Sequence, residues 1–414
     1  MRRYAPVAVL ALLIVPSTIG ALAQGVASPV GIFEGRGDVG KVLHPGSVLF
    51  DAAKKTYAIS GSGHNMWATD DAFHYVWKRV SGDVSIAADI AWTNTGGNPH
   101  KKAVLVMRQS LDADSAYADA AAHGDGTFSL QGREEAGAPT HEVQANAPRP
   151  VRLKLQRSGD YFYMSYGGEG EALTLAGGAV RVPFREPFYV GIGVCAHDPN
   201  VIESATFSNV AIEPGTPKPA GRKFRVFSTI ETITVSSTDR RAVQVIDGRA
   251  EAPSWTVDNA FIYASGDKLY RIPVAGGQPS PVDAATPGRE PGPERSPDRA
   301  YVYYTAENSG QMHVWRKRED GSQPEMLTTD EYSNWFPHPS PDGLRLVFLS
   351  YPKGSRAPVA GQTDYGDVLL RVMTLADRKV TVLAKIVGGR GTIDLPSWSP
   401  DSRRLAFVSY LLLP

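Results

Sequence analysis

The chain has 414 residues, 42% of them hydrophobic, which is enough to form about two to four domains. Lysine plus arginine and aspartate plus glutamate both number 43, so the composition indicates neither a basic surface for nucleic acid nor charge-driven disorder. Glycine (41) and proline (31) together exceed one residue in six, which favours many short strands joined by tight turns over long helices. Cys195 is the only cysteine, which excludes an intrachain disulfide and a cysteine-rich zinc site. We expect it to be a small buried side chain.

The N-terminal segment has the features of a secretory signal peptide. Arg2 and Arg3 form a positive n-region, residues 7–15 are apolar, and the small-residue stretch 21–23 precedes Gln24. The apolar run is shorter than the ~20 residues that a membrane span needs, and Pro16 interrupts it. We predict a signal peptide over residues 1–23 and an exported protein, periplasmic or secreted, without a membrane span.

Residues 24–213 are predicted to form one β-sandwich domain, because short strand-like runs alternate with turns rich in glycine, proline or aspartate. Residues 115–122 fit a helical turn or a strand equally well. Residues 214–222 are rich in proline and glycine and are predicted to be a linker, followed by a second domain over 223–414. The strand-like runs of the first domain are Ala72–Trp77, Val84–Ile90, Ala103–Met107, Val151–Leu155, Tyr161–Met164, Phe188–Ile192 and Ala205–Val210.

The second domain contains an internal repeat. A turn ending in aspartate, most often Ser-Pro-Asp, recurs with spacings of 40, 44 and 59 residues, and each copy precedes an apolar strand. About four strands in ~40 residues is typical of a β-propeller blade. Because the aspartate recurs in every copy, we interpret it as part of a structural turn and not as a catalytic group. The four copies are Ser254–Asp258, Glu294–Asp298, His338–Asp342 and Ser397–Asp401.

The number of blades follows less directly from the repeat. Three full copies span residues 252–283, 289–330 and 332–386. A fourth blade forms if the C-terminal strands pair with residues 224–246. The alternatives are a small propeller or the loss of two blades around residues 286–292.

Both halves resemble known families. The stretches Asn334–Gly343 and residues 396–401 resemble the TolB-like β-propeller family, in which Ser-Pro-Asp-Gly turns follow an inner strand containing Trp or Pro. The first half is similar to concanavalin-A-like (jelly-roll) sandwich domains of uncharacterised function. These resemblances imply an all-β exported protein with an N-terminal sandwich and a C-terminal propeller of about four recognisable blades, whereas the Tol-system protein has six blades and an α/β domain in place of the sandwich. The sandwich resemblance rests on Ser60–Gly63, Met66–Trp67, Asp71–Tyr75, Ser81–Asp83 and Arg108–Asp112.

Most enzyme signatures are absent from the sequence. There is no Gly-x-Ser-x-Gly nucleophile elbow and no P-loop. His141-Glu142 begins a zinc-protease motif, but Ala145 stands where the second histidine belongs. We therefore nominate no catalytic residue and no cofactor, and the sequence leaves a bound metal undetermined.

Two sets of residues are candidate ligand contacts. In the sandwich, Tyr75 alternates with Phe73 and Trp77 on one face of a strand, with Trp67 nearby in sequence. These rings are core if that face is internal, and they suit stacking on sugar rings if it is solvated.

In the propeller, the residue two before the Ser or Thr of each turn is polar. Ser254, Glu294, His338 and Ser397 occupy this position on the predicted inner strands. They fit a water-lined channel, or a site for a polar ligand or cation at the channel mouth with Glu294 and His338 as its ligands. Arg295, Asn334 and Trp335 flank that position.

The function we predict from the sequence is non-catalytic binding of saccharide or protein at the bacterial envelope, through the channel mouth and the sandwich. The alternative is a carbohydrate-active enzyme, a glycoside hydrolase or polysaccharide lyase, with its site at the propeller mouth.

Overall fold

The structure is a computed structural model that describes residues 29–146, 151–215, 224–282, 294–355, 365–395 and 397–414. The predicted signal peptide, most of the predicted linker and the region of the suggested blade loss lie outside these residues. Within them, no helix has the length and apolar character that a membrane crossing requires. The predicted all-β fold class is confirmed.

The described part of the first half contains seventeen strands. They are β1 (Gly35–Val39), β2 (Ser47–Asp51), β3 (Thr56–Gly63), β4 (Met66–Trp67), β5 (Asp70–Asp71), β6 (Phe73–Val80), β7 (Val84–Trp92), β8 (Lys102–Arg108), β9 (Tyr117–His123), β10 (Phe128–Arg133), β11 (His141–Gln144), β12 (Arg152–Ser158), β13 (Tyr161–Gly167), β14 (Thr174–Leu175), β15 (Val180–Arg181), β16 (Phe188–Cys195) and β17 (Asp198–Pro214).

The described part of the second half contains fifteen strands and a 3₁₀ helix at Arg390–Thr392. The strands are β18 (Arg225–Thr234), β19 (Arg240–Asp247), β20 (Ala250–Trp255), β21 (Ala260–Ser265), β22 (Lys268–Pro273), β23 (Ser280–Val282), β24 (Glu294–Arg295), β25 (Tyr301–Asn308), β26 (Gln311–Arg318), β27 (Glu325–Met326), β28 (Ser333–Pro339), β29 (Arg345–Tyr351), β30 (Gly366–Thr374), β31 (Val380–Gly388) and β32 (Arg404–Leu413).

Two large sheets form a sandwich in the first half. One contains the run β1-β6-β16-β8-β9-β10-β11, and the other has the order β14-β13-β12-β7-β17-β3-β2. Alternation places the apolar side chains between them: in β12, Leu153 and Leu155 are buried while their neighbours are half-buried. Leu105 and Ile192 of the facing sheet belong to the same core. The segment that fitted helix or strand equally well is strand β9, which pairs with β8 and β10.

Within the described residues the second half forms four antiparallel blades, and β18 pairs with β32, as the alternative with a fourth blade requires. Blades 1 to 3 are β20–β23, β24–β27 and β28–β31. Blade 4 combines both ends of the domain, because β32 pairs with β18 over its whole length and Trp398 forms a bridge to Leu405. The Tyr410 hydroxyl joins blade 4 to blade 1 by donating to the Ala250 carbonyl at 3.1 Å.

The recurring aspartates are structural, as the repeat indicates. In each turn the Ser or Thr hydroxyl donates to the aspartate two residues later, at 2.5 Å in the pair Ser340 and Asp342. The same hydroxyl accepts a backbone N–H from the start of the next strand, as Ser340 does from Arg345 at 2.9 Å. These bonds satisfy the polar groups of a sharp turn. The equivalent pairs are Thr256 with Asp258, Ser296 with Asp298 and Ser399 with Asp401.

The two halves are joined by a continuous sheet. Strand β11 of the sandwich pairs in parallel with β19 of blade 4, so one ten-stranded sheet runs through both. Arg240 of β19 donates to the Ala179 carbonyl at 3.0 Å and to both oxygens of Glu231. The division at residues 214–222 stays a prediction, and the described contacts show that these halves share a hydrogen-bonded interface.

Candidate functional site

The polar positions of the predicted channel lie on the innermost strands of the blades. Glu294 is on β24, His338 on β28, and Ser397 directly precedes the bridge residue Trp398. His338 and Ser397 are buried, whereas the Glu294 side chain keeps 13% of its surface exposed. The inner strands therefore bring Glu294 and His338 from two neighbouring blades to one place.

His338 is held by a backbone carbonyl and faces a carboxylate. Its Nε2 lies 2.6 Å from the Ile393 carbonyl, which can only accept, so Nε2 donates. Its Nδ1 lies 3.6 Å from Glu294 Oε1. Nδ1 has no hydrogen-bond partner among the described residues.

The backbone around His338 is irregular. The pairing of β28 with β29 shifts register between Trp335 and His338, and Phe336 has a φ of 57°. This left-handed conformation is strained for a bulky residue, and a bulge of this kind re-aims the side chains that follow it. The Trp398 indole donates to the His338 carbonyl at 3.0 Å and so holds the bulged strand against blade 4.

Other buried polar atoms near His338 also have no partner. Within the described part of the chain, Ser397 Oγ, Asp394 Oδ1 and the Tyr351 hydroxyl accept and donate no hydrogen bond. The other Asp394 oxygen pairs with Arg390 Nε at 3.2 Å. Burial, with a smaller contribution from Asp394, raises the pKa of Tyr351. We call Glu294, His338, Tyr351, Asp394 and Ser397 the inner-strand cluster.

The flanking residues predicted for this site do not join the cluster. Arg295 is exposed and donates to Glu319 at 2.7 Å. Asn334 is buried and bonds to Asp330 and Ser350 inside blade 3. Trp335 is half-buried and packs on the core of blades 3 and 4.

The structure corrects one sandwich candidate. Tyr75 is completely buried, and its hydroxyl donates to the Val106 carbonyl at 3.2 Å. It lies with Phe73 in a second core on the outer face of the ten-stranded sheet. The aromatic face is therefore internal, and Tyr75 is not available to stack on a sugar. Trp67 is half-buried, with the Lys102 ammonium 5.3 Å from its ring.

Sequence reasoning missed Tyr351 and Asp394. Asp394 lies in the connection between blades 3 and 4, outside the repeated turns, and Tyr351 lies at the end of an apolar strand whose sequence is typical of a buried core strand. The described residues contain no group of three His, Cys, Asp or Glu side chains placed to hold a metal ion. For recognition of a ligand, the cluster offers hydrogen-bonding groups and the pair formed by the Glu294 carboxylate and the His338 imidazole.

A cavity of about 290 Å³ lies where the sandwich meets blade 3. Three of its charged side chains are paired: Glu134 accepts from Arg181 at 2.9 Å and also pairs with Lys385. Burial, together with the nearby Arg240, lowers the pKa of His141 on its wall. The pair of Glu134 and Lys385 bridges the two halves at this cavity.

Comparison with known proteins gives partial similarities. No protein-family model matches the chain. A stretch of 123 residues is 42% identical to an uncharacterized protein of Agrobacterium fabrum, covering 30% of this chain and 41% of that protein. The chain thus spans less than half the length of this curated relative.

Solved structures give matches with low TM-scores. A TolB-assigned protein from Agrobacterium tumefaciens is 25% identical with a TM-score of 0.36, covering 46% of this chain and 99% of that one. TolB from Acinetobacter baumannii is 12% identical with a TM-score of 0.20, covering 60% and 71%. Domains LG4-5 of the mouse laminin α1 chain are 7% identical with a TM-score of 0.23, covering 85% and 80%.

Proposed function

We propose that this chain is a non-catalytic binding protein of the bacterial envelope, and that the inner-strand cluster recognises a polar ligand, a saccharide or a polar segment of an envelope protein. The observation that carries the proposal is the set of buried polar atoms without partners around His338. Buried donors and acceptors are ordinarily paired, because leaving one unpaired costs about 1–3 kcal/mol. Ligand hydroxyl or amide groups would satisfy several of these atoms at once.

The chemistry of the cluster fits recognition better than catalysis. The Ser397 hydroxyl makes no hydrogen bond to a histidine or a carboxylate among the described residues, and His338 is held through Nε2 by a carbonyl. The partly exposed Glu294 gives the cluster an edge that a ligand can reach from solvent. The location in the envelope is proposed from the signal-peptide pattern of residues 1–23.

The test is a glycan array and a pull-down from envelope extract with the mature chain, followed by titration of each hit with two variants. Glu294→Gln removes the charge and keeps the shape, and Ser397→Ala removes one hydroxyl. We expect Glu294→Gln to weaken binding about tenfold or more, since a hydrogen bond to a charged group contributes about 1.5–3 kcal/mol. Ser397→Ala should weaken binding about two- to tenfold, since a neutral hydrogen bond contributes about 0.5–1.5 kcal/mol.

The matched control is Glu319→Gln, because Glu319 pairs with the exposed Arg295 outside the cluster. Equal affinity in all three variants would show that the ligand binds outside the inner-strand cluster. Release of reducing ends or unsaturated sugars from a bound glycan would favour the alternative function, a glycoside hydrolase or polysaccharide lyase.

A further inference from the structure

A recess of about 380 Å³ opens at one end of the sandwich, far in sequence from the inner-strand cluster. It lies where β7 and β9 end and the chain turns into loops. Its volume falls in the range of about 300–1,000 Å³ that is typical of ligand pockets. The polar and aromatic residues that line it are Trp92, Asn94, Thr95, His123 and Thr127.

Two buried polar atoms of this lining have no partner. Trp92 Nε1 and His123 Nδ1 are both buried and make no hydrogen bond with any described residue. His123 is more than nine-tenths buried, at 8% exposure, and its other nitrogen lies 3.2 Å from Ser129 Oγ. An indole N–H and an imidazole nitrogen left unpaired on the wall of a cavity are groups that a ligand can satisfy.

A buried lysine fixes the position of the two side chains at the mouth. Lys101 is 1% exposed, and its ammonium lies 4.5 Å from the centre of the Trp92 ring. The same ammonium donates to Asn94 Oδ1 at 2.7 Å and to Glu203 at 2.9 Å. Because Lys101 is held by Glu203, both Trp92 and Asn94 are placed before any ligand arrives, which reduces the entropic cost of binding.

None of the described residues that line the recess is Asp, Glu, Lys or Arg. Burial, with a smaller contribution from Lys102, lowers the pKa of His123 to about 3, so its imidazole is neutral at physiological pH. A charged ligand would lose hydration here without gaining a counter-ion.

We propose that this recess, the Trp92 recess, is a second binding site that takes the ring of a neutral saccharide. The half-buried Trp92 indole supplies an aromatic surface for the C–H face of a sugar. Asn94, Thr95 and Thr127 supply amide and hydroxyl groups for its ring hydroxyls. The site is independent of the inner-strand cluster and does not rest on the function proposed there.

The experiment measures binding of glucose, galactose, mannose, N-acetylglucosamine, maltose and cellobiose to the full mature chain by saturation-transfer NMR and calorimetry, with glucuronic acid as the charged comparison. We expect at least one neutral sugar to bind, and glucuronic acid to bind at least fivefold more weakly than its neutral counterpart glucose. Trp92→Phe keeps an aromatic ring and loses the N–H. Thr127→Ala removes the hydroxyl of an exposed residue that lines the recess. Each should weaken sugar binding about fivefold or more, in line with the loss of one hydrogen bond.

The matched control is Trp255→Phe, a half-buried indole whose N–H already has Asn259 as partner at 3.3 Å. Its sugar affinity should equal that of the parent chain. Failure of every neutral sugar to bind, or equal affinity in Trp92→Phe, Thr127→Ala and the control, would overturn the proposal. Loss of sugar binding in Glu294→Gln with full binding in Trp92→Phe would overturn it as well, and would leave the function proposed for the inner-strand cluster standing.

Discussion

Replacing Asp71 by asparagine tests how the outer face of the sandwich is held together. Asp71 and its two partners, Arg108 and Arg133, are all completely buried. The carboxylate accepts from Arg108 Nη1 at 2.5 Å and from both terminal nitrogens of Arg133 at 2.8 and 2.9 Å. Arg133 also donates to the Trp67 and Ala68 carbonyls, which ties the β4–β5 hairpin to the sheet.

Asp71→Asn keeps the size of the side chain but leaves two buried guanidinium groups without a counter-charge. Removing one partner of a buried ion pair lowers the free energy of unfolding by about 3–5 kcal/mol, because the remaining charge stays desolvated. In a domain of about 150–250 residues each kcal/mol lowers the melting temperature by about 2–4 °C. We therefore expect Asp71→Asn to lower it by about 6–20 °C.

The assay is calorimetric and urea-induced unfolding of the mature chain. Asp247→Asn is the control, since Asp247 pairs with Arg225 at an exposed site, where ion pairs contribute little to stability. A melting temperature of Asp71→Asn equal to that of the control would refute the reasoning. Replacing Asp71, Arg108 and Arg133 together by apolar residues should recover much of the loss, because neither guanidinium group is then left buried without its carboxylate.

Four further predictions follow from the same contacts. Burial raises the pKa of Asp119 to about 8, above the value of about 3.9 in unfolded chains, so the unfolded chain releases its proton first. The stability that protonated Asp119 contributes should be complete below about pH 4 and decline up to about pH 8. The urea midpoint of unfolding of the parent chain should fall across this pH range relative to that of Asp119→Asn. The same pH dependence of the midpoint in both proteins would contradict the prediction. Deleting residues 404–414 removes the strand that pairs with β18, so limited proteolysis should cut the second half faster while the sandwich stays protected. Mass spectrometry of exported protein should show an N-terminus at or near Gln24, and an intact Met1 would count against export. Residues 24–213 expressed alone should unfold cooperatively, whereas aggregation relieved by adding the second half would show that the β11–β19 pairing is required.

The local turns could be predicted from the sequence because their cause is local. Proline presets the backbone of the Ser-Pro-Asp turn, and the serine and aspartate side chains reach amides within five residues. The pairing of β18 with β32 could also be predicted, since the repeat left one blade incomplete at each end of the domain. The burial of Cys195 follows from its place in an apolar strand and is confirmed.

The candidate site could be predicted only in part. The repeat marked Glu294 and His338 as polar residues at equivalent inner positions, and the structure places them 3.6 Å apart. Asp394 and Tyr351 carry no repeat signal: Asp394 lies in the connection between blades 3 and 4, and Tyr351 ends strand β29 of blade 3.

What the sequence by itself determined is the all-β class, the period of the blades and which side chains share a strand face. Alternation shows that Tyr75 and Phe73 point the same way, but not whether that face is covered. Only the tertiary structure decided that loops and the β4–β5 hairpin bury it. The parallel pairing of β11 with β19 likewise joins segments about a hundred residues apart through backbone hydrogen bonds alone. Backbone groups are the same in every residue, so such a pairing leaves no mark in the side-chain pattern.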